Sequence, residues 1–466
     1  MALHPDRMLP PENEIRPIAR RLYDSVAGLK IVSPHGHTDP SWYSQDEPFT
    51  DPAALFVTPD HYATRMLYSQ GVRLEDLGVA TRGGVKKEAD GRKIWRLFAQ
   101  YFHLFAGTPT RLWFEHSLEA VFGITERLSP KNADELYDRI AAAIGTPALR
   151  PRALYERFNI EVIATTDAAL DDLGHHDKVR ASGWHGKVVP TYRPDAVVDP
   201  EAAGFAVNVG RLFEMTGEPA TWEGYLNAHR SRRAFFKERG ATATDHGHAT
   251  ARTENLGRFE AARLFAKVLS GKAGAADADA FRGQMLTEMA RMSQEDGLVM
   301  QVHPGSFRNH NPLVFAEFGP DNGADIPKGT DYVRALKPLL DAVGNDPALT
   351  VILFTLDETA YSRELAPLAG HYPALRLGPA WWFFDSPEGM RRFRETTTET
   401  AGFYNTVGFN DDTRAYLSIP ARHDMARRVD CAYLARLVAD HRLEEDEAFL
   451  LAAELARGLA KRAYRL

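Results

Sequence analysis

The chain carries one cysteine, Cys431, so no internal disulfide is available, and a reducing compartment fits. Its start, MALHPDRMLPPENEIRP, has no apolar signal core, and no apolar run approaches the roughly 18 residues of a membrane span. A charge excess is missing too. Lys plus Arg number 56 against 63 Asp plus Glu, a net charge of −7, which argues against a nucleic-acid partner. There is no G-x-x-x-x-G-K-[ST] phosphate loop, no G-x-S-x-G elbow, and no GxGxxG after the first candidate strand. Internal repeats and long linkers are likewise absent. What these absences leave is a soluble, cytoplasmic globular protein with no membrane segment.

With 466 residues, 44% of them hydrophobic, the chain can bury a large core. Residues 15–28 place Ile15, Ile18, Leu22 and Val26 on one helical face. LKIVSPHGH then reads as a short buried strand that delivers His35 and His37 to its C-terminal end. From 61 to 156 amphipathic helices follow one another without a strand, which predicts a helical insertion. Strand and helix patterns alternate afterwards, with strands expected at 160–166, 186–192, about 241–248, 298–303, 350–355, 374–379 and 405–410. Counting LKIVSP, eight βα units point to a (β/α)₈ barrel formed by residues 1–60 and 157–466.

Polar residues gather at the ends of these strands: His35 and His37, Asp167, Arg193, Asp245, His303, Asp357, and Asp411 with Asp412. In such a barrel the strand C-termini converge on one face, where a site is built. His35-Gly36-His37 has strand spacing, so both imidazoles project to the same side, as two ligands of a metal would. In GFNDDTRAYLS, Asp411 or Asp412 suits a further ligand and general base, while one of the pair is expected to cap a helix. His303 is a third candidate for the metal or for polarisation, with a satisfied core histidine as its alternative. Arg193 and Arg308 suit bidentate capture of a carboxylate, with a surface ion pair as the alternative. Trp381 and Trp382 suit the apolar face of a sugar or the barrel rim. Asp60 reads as a helix cap that leaves His61 and Tyr62 free to point over the barrel mouth.

Taken together, PHGHTDP, TPDHYATRMLYSQGV, ATTDAALDDLGHH, YRPD, QVHPGSFRNHN, GPAWWFFD and NDDTRAYLS resemble, in order, the uronate (glucuronate) isomerases of the amidohydrolase superfamily. The resemblance runs from about residue 15 to 466. It implies a distorted (β/α)₈ TIM barrel of the metal-dependent hydrolase type, with a mostly helical insertion after the first strand. It implies one divalent metal, commonly zinc, at His35, His37 and Asp412. Asp412 would be the base, Tyr62 would contact O1, and Arg414 would contact O2 and O3 of an open-chain hexuronate. His61, Arg193, His303, Arg308, Trp381 and Trp382 would surround that substrate. The implied reaction is aldose–ketose isomerisation of D-glucuronate or D-galacturonate; a metal-dependent hydrolase or decarboxylase is the alternative. A homo-oligomer is also expected. The chain departs from the family pattern at Gly36 and Thr38, at Asp411 and Thr413, and at His310. These departures alter the surroundings of the sugar and leave the ligands and base in place.

Overall fold

A computed structural model describes residues 3–84 and 87–466. The strands that position the site are β1 (Ile31–Ser33), β2 (Ile160–Ala164), β3 (Asp167–Ala168), β4 (Val188–Val189), β5 (Tyr192–Arg193), β6 (Ala243–His246) and β7 (Val299–Val302). A small antiparallel pair, β8 (Ser306–Phe307) and β9 (Ile326–Pro327), precedes β10 (Val351–Leu353) and β11 (Leu375–Leu377). One parallel sheet runs β1-β2-β4 and another runs β11-β10-β7-β6-β5-β3. Parallel neighbours cannot be joined by tight hairpins, and helices supply the crossovers.

Several expected strands are shorter than their sequence patterns. Residues 186–192 divide into β4 and β5 at Pro190, which has no N–H to give to a ladder. The strand expected at 160–166 stops at Ala164 and β3 starts at Asp167, yet the ladder continues across the break: Thr165 N–H donates to Val189 O at 2.9 Å and Asp167 N–H to Thr191 O at 3.0 Å. Residues 405–410 do not form the expected strand. Only Thr406 pairs, in a single bridge with Leu377. Gly408 lies at φ +76°, and a Cβ there would meet Leu455 O at 2.8 Å. The passage of the C-terminal helical segment therefore takes the chain out of the extended conformation.

Regular pairing thus forms two parallel arcs and one bridge. Beyond the strand ends the first and last arms are stitched by backbone bonds: Asp412 N–H donates to His35 O at 3.2 Å, and His37 N–H donates to Thr413 O at 3.0 Å. The helix Leu459–Tyr464 packs against residues from both arcs. Ala460 clusters with Val32, Val162 and Val189, while Tyr464 clusters with Ala243, Val299 and Ile352. The Tyr464 hydroxyl donates to Gln301 Oε1 at 3.1 Å and accepts from Asn410 Nδ2 at 2.6 Å, so its buried oxygen is satisfied.

Among the described residues, the stretch between β1 and β2 consists of helices joined by loops and contains no strand. Its apolar faces form a core around Trp95, Phe98, Phe105 and Leu136 that also takes in Ile31, Ile160 and Tyr416. The helical stretch is therefore fused to the sheet, not hung from it. Among the described residues no helix is long and apolar enough to cross a membrane. Cys431 is buried within the helix Ile419–Ala439, with burial raising its thiol pKa, so it stays an inert thiol.

Candidate active site

A cavity of about 630 Å³ opens where the strand ends and the helical stretch meet. His35, His37, Asp245, His303 and Asp412 line its floor, and Arg193, Arg308 and Arg414 stand around its walls. His61, Tyr62, Trp381 and Trp382 line the same cavity, whereas Asp167, Asp357 and Asp411, also expected at the strand ends, do not.

His35 Nε2 lies 3.3 Å and His37 Nε2 3.2 Å from Asp412 Oδ1. That oxygen is buried and makes no aligned hydrogen bond, and neither does His35 Nδ1. Ligands held at 2.0–2.1 Å from one tetrahedral ion stand about 3.3 Å apart, which matches both separations. Two imidazoles and one carboxylate, with one carboxylate oxygen left unpartnered, fit a single divalent cation. Burial opposes charge on Asp412, but His35 and His37 outweigh it and hold its carboxyl well below the usual range. Burial lowers the pKa of His37 despite the nearby Asp412, which favours the neutral imidazole a metal requires. Asp412 itself sits at φ +44°, a left-handed conformation that Asp tolerates better than most residues. The turn aims its second oxygen, Oδ2, at the indole N–H of Trp381, which donates to it.

Neither member of the Asp411-Asp412 pair caps a helix, contrary to expectation. The next helical turn starts at Tyr416 and has Ala415 before it. Asp411 is buried instead, with Oδ2 at 3.1 Å from His423 Nε2. It braces the closing arm from behind.

A second set of ligand-type atoms, on His35, Asp245 and His303, lies within 4.8 Å. His303 Nδ1 is 2.6 Å from Asp245 Oδ1, and its ring stacks on Phe354 with centroids 4.2 Å apart. Arg193 approaches the other oxygen of Asp245 at 3.3 Å and donates to Asp195 at 2.8 Å. The surface ion pair weighed for Arg193 is thus a pair in the cavity wall. Gly247 follows β6 there, and a Cβ would meet the Arg193 guanidinium at 2.5 Å. Arg308 donates to Asp325 at 2.7 Å, and Arg414, half exposed, lies 3.5 Å from Asp321. Each arginine thus keeps part of its guanidinium for the cavity while a carboxylate steadies the rest.

Asp60 caps the helix His61–Tyr68 as expected, accepting from Tyr62 N–H at 2.8 Å. His61 packs edge-on against Trp382, and burial, with Arg414 and Arg65 adding to it, pushes its imidazole down to about 3. The Tyr62 hydroxyl is not free. It donates to both oxygens of Asp385 at 3.0 Å, and Arg422 donates to the same carboxylate at 2.6 Å. Asp385 and Arg422 escaped sequence reasoning. Asp385 precedes the helix cap Ser386 and reads as loop polarity, and Arg422 reads as one more cation on a helix.

Comparison with known proteins follows the same lines. The glucuronate isomerase family profile matches residues 13–461. A uronate isomerase of Brucella canis is 68% identical over 466 residues, with both chains covered in full. Among solved structures, the glucuronate isomerase of Caulobacter crescentus is 56% identical with a TM-score of 0.98, covering 100% of this chain and 97% of that one. The uronate isomerase of Thermotoga maritima is 27% identical with a TM-score of 0.92, and coverage is 100% on both sides. The chain belongs to the glucuronate isomerase family.

Proposed function

We propose that this enzyme interconverts open-chain hexuronate aldoses and ketoses, D-glucuronate with D-fructuronate and D-galacturonate with D-tagaturonate, through a cis-enediol. The reading includes a distorted (β/α)₈ barrel with the cytoplasm and a homo-oligomer as its setting. The observation that carries it is the convergence of His35, His37 and Asp412 at the floor of a cavity walled by three arginines. Relatives matched over the full chain bear the isomerase name, which favours this reaction over hydrolysis or decarboxylation.

A divalent cation, zinc in this reading, held by His35, His37 and Asp412 would supply positive charge that fixes the substrate's carboxylate end and neighbouring hydroxyl. Asp412 starts the reaction by drawing off the C2 proton, a task suited to an ionised carboxylate. Arg414 faces the charge that develops on the enediolate oxygens, and remains charged throughout. Tyr62 moves a proton between O2 and O1. Arg193, Arg308 and His303 hold the hydroxyl-bearing faces, and His61 with Trp381 and Trp382 closes the apolar side and excludes water.

The test is incubation of the zinc-loaded protein with each hexuronate in deuterated water, followed by NMR. The expected result is ketose formation with deuterium in the product. Release of carbon dioxide, or hydrolysis of a uronate ester without ketose, would overturn the reading.

A further inference from the structure

The feature that the reaction scheme above leaves unused is the buried group behind Tyr62. Tyr62 and Arg422 line the cavity, whereas Asp385 stands behind them and does not. Asp385 is 6% exposed and Arg422 4%. The phenol donates to both oxygens of Asp385 at 3.0 Å, and Arg422 donates to Oδ2 at 2.6 Å and to the Asp411 carbonyl at 3.1 Å. The Arg422 guanidinium lies 3.6 Å over the ring of Trp113, which fixes it from the other side. Three side chains from separate parts of the chain, Asp385, Arg422 and Trp113, thus hold one phenol in place.

A phenol has a single proton to give. Because Tyr62 gives it to Asp385, its oxygen meets a substrate only as an acceptor. A substrate hydroxyl can therefore protonate Tyr62 only if Tyr62 passes its own proton on. Asp385 is the group placed to receive it.

We propose that Asp385 is a positioning residue for the isomerisation, fixing Tyr62 as an acceptor and storing the proton that travels between the two substrate oxygens. The inference rests on the isomerase reading above. Once the C2 proton has left, the enediolate bears its charge at O1 and a hydroxyl at O2. The O2–H proton passes to the Tyr62 oxygen as the Tyr62 proton passes to Asp385. The reverse movement returns the proton of Asp385 to Tyr62 and delivers that of Tyr62 to O1. The charge then stands at O2, which becomes the ketose carbonyl when C1 is protonated. No proton is gained or lost by the pair, and no oxidant or further reactant is needed. Burial raises the pKa of Asp385 against the pull of Arg422, which suits a group that must hold a proton briefly.

The experiment is a double-mutant cycle on the zinc-loaded enzyme with Tyr62→Phe, Asp385→Asn and the double variant, assayed with 2-protonated and 2-deuterated hexuronate. Asp385→Asn should lower kcat on the order of 10²-fold with KM within about 3-fold, since the loss falls on a proton-transfer step. Adding it to Tyr62→Phe should cost no more than about 3-fold, because both remove one function. The primary isotope effect should shrink in Asp385→Asn, as oxygen-to-oxygen transfer replaces C2–H cleavage as the slow step. Should Asp385→Asn not fold, Asp385→Glu retains a carboxylate opposite Arg422, and it should keep at least a tenth of wild-type kcat. Additive losses with an unchanged isotope effect, or a Glu variant as inactive as a Tyr62→Phe protein, would overturn the inference. Failure of the isomerase reading looks different: the wild-type enzyme would form no ketose from either hexuronate.

Discussion

The indole N–H of Trp381 donates to Oδ2 of Asp412, while Oδ1 of the same carboxylate faces His35 and His37. Trp381 therefore assigns the two oxygens different tasks and stops the carboxylate from rotating between them. Sequence reasoning weighed it as a sugar platform or as barrel-rim core; it also orients the Asp412 carboxylate. Loss of such an outer partner typically costs 10–100-fold in metal affinity or activity. Trp381→Phe should weaken divalent-metal binding by about 10-fold, read by competition with a chromophoric chelator. Unchanged affinity would remove Trp381 from this role.

Asp412→Asn keeps the side chain's shape and removes its charge. At saturating divalent metal, turnover should fall on the order of 10²–10⁴-fold while KM changes far less. Steady-state kinetics beside metal analysis checks this. Near wild-type turnover would reassign the base. Asp411 would not be the replacement, because it points to His423 behind the strand ends.

A buried ion pair joins two helices beside the closing arm. Arg394 donates to Asp430 through Nε at 2.7 Å and through a terminal nitrogen at 3.1 Å. Arg394→Met leaves the carboxylate buried and unpaired, a change that typically costs about 3–5 kcal/mol. A lower melting temperature is expected, and adding Asp430→Leu should restore much of it. Calorimetry on the three variants measures the recovery, and an unaltered melting temperature for Arg394→Met would contradict the assignment.

Asp167 accepts from Thr165 Oγ1 at 2.8 Å, and burial pushes its carboxyl from 3.8 to about 7. Between those values the unfolded chain is ionised while the folded carboxyl keeps its proton. The unfolded state then binds fewer protons, so this group's contribution to stability falls as pH rises through the window. The loss is complete above about pH 7 and is on the order of 4 kcal/mol. Asp167→Asn lacks this dependence. Relative to wild type, the variant should therefore gain melting temperature between about pH 5 and pH 8.5. A constant difference across that range would show that Asp167 ionises normally in the folded protein.

The legible parts of this site are those with local causes. His35 and His37 share a face because a strand repeats every two residues, and Asp60 caps because its neighbours begin a helix. Tyr62 could be placed at the mouth, but the direction of its proton could not, since Asp385 is 323 residues away in the chain. The same holds for Asp411 and Asp412. Adjacent in sequence, they turn to opposite tasks because φ at Asp412 is positive, which no propensity scale registers. Residues 405–410 show a similar limit. Their composition suits a strand, and the crossing of Leu455 at Gly408 prevents one.

The hydrogen bond from the Asp412 amide to the His35 carbonyl has a consequence for biosynthesis. His35 leaves the ribosome well before Asp412, which follows it by several hundred residues. Joining ends separated by several hundred residues costs about 5 kcal/mol of loop entropy, so the joint waits for the contacts that Tyr464 and Ala460 make with both arcs. The core of the helical stretch also takes in Ile160 and Tyr416, so it too is completed only when later parts of the chain arrive. A divalent metal held by His35, His37 and Asp412 can then be bound only after Asp412 has been made, and nascent chains stalled before Asp412 should take up none at this centre.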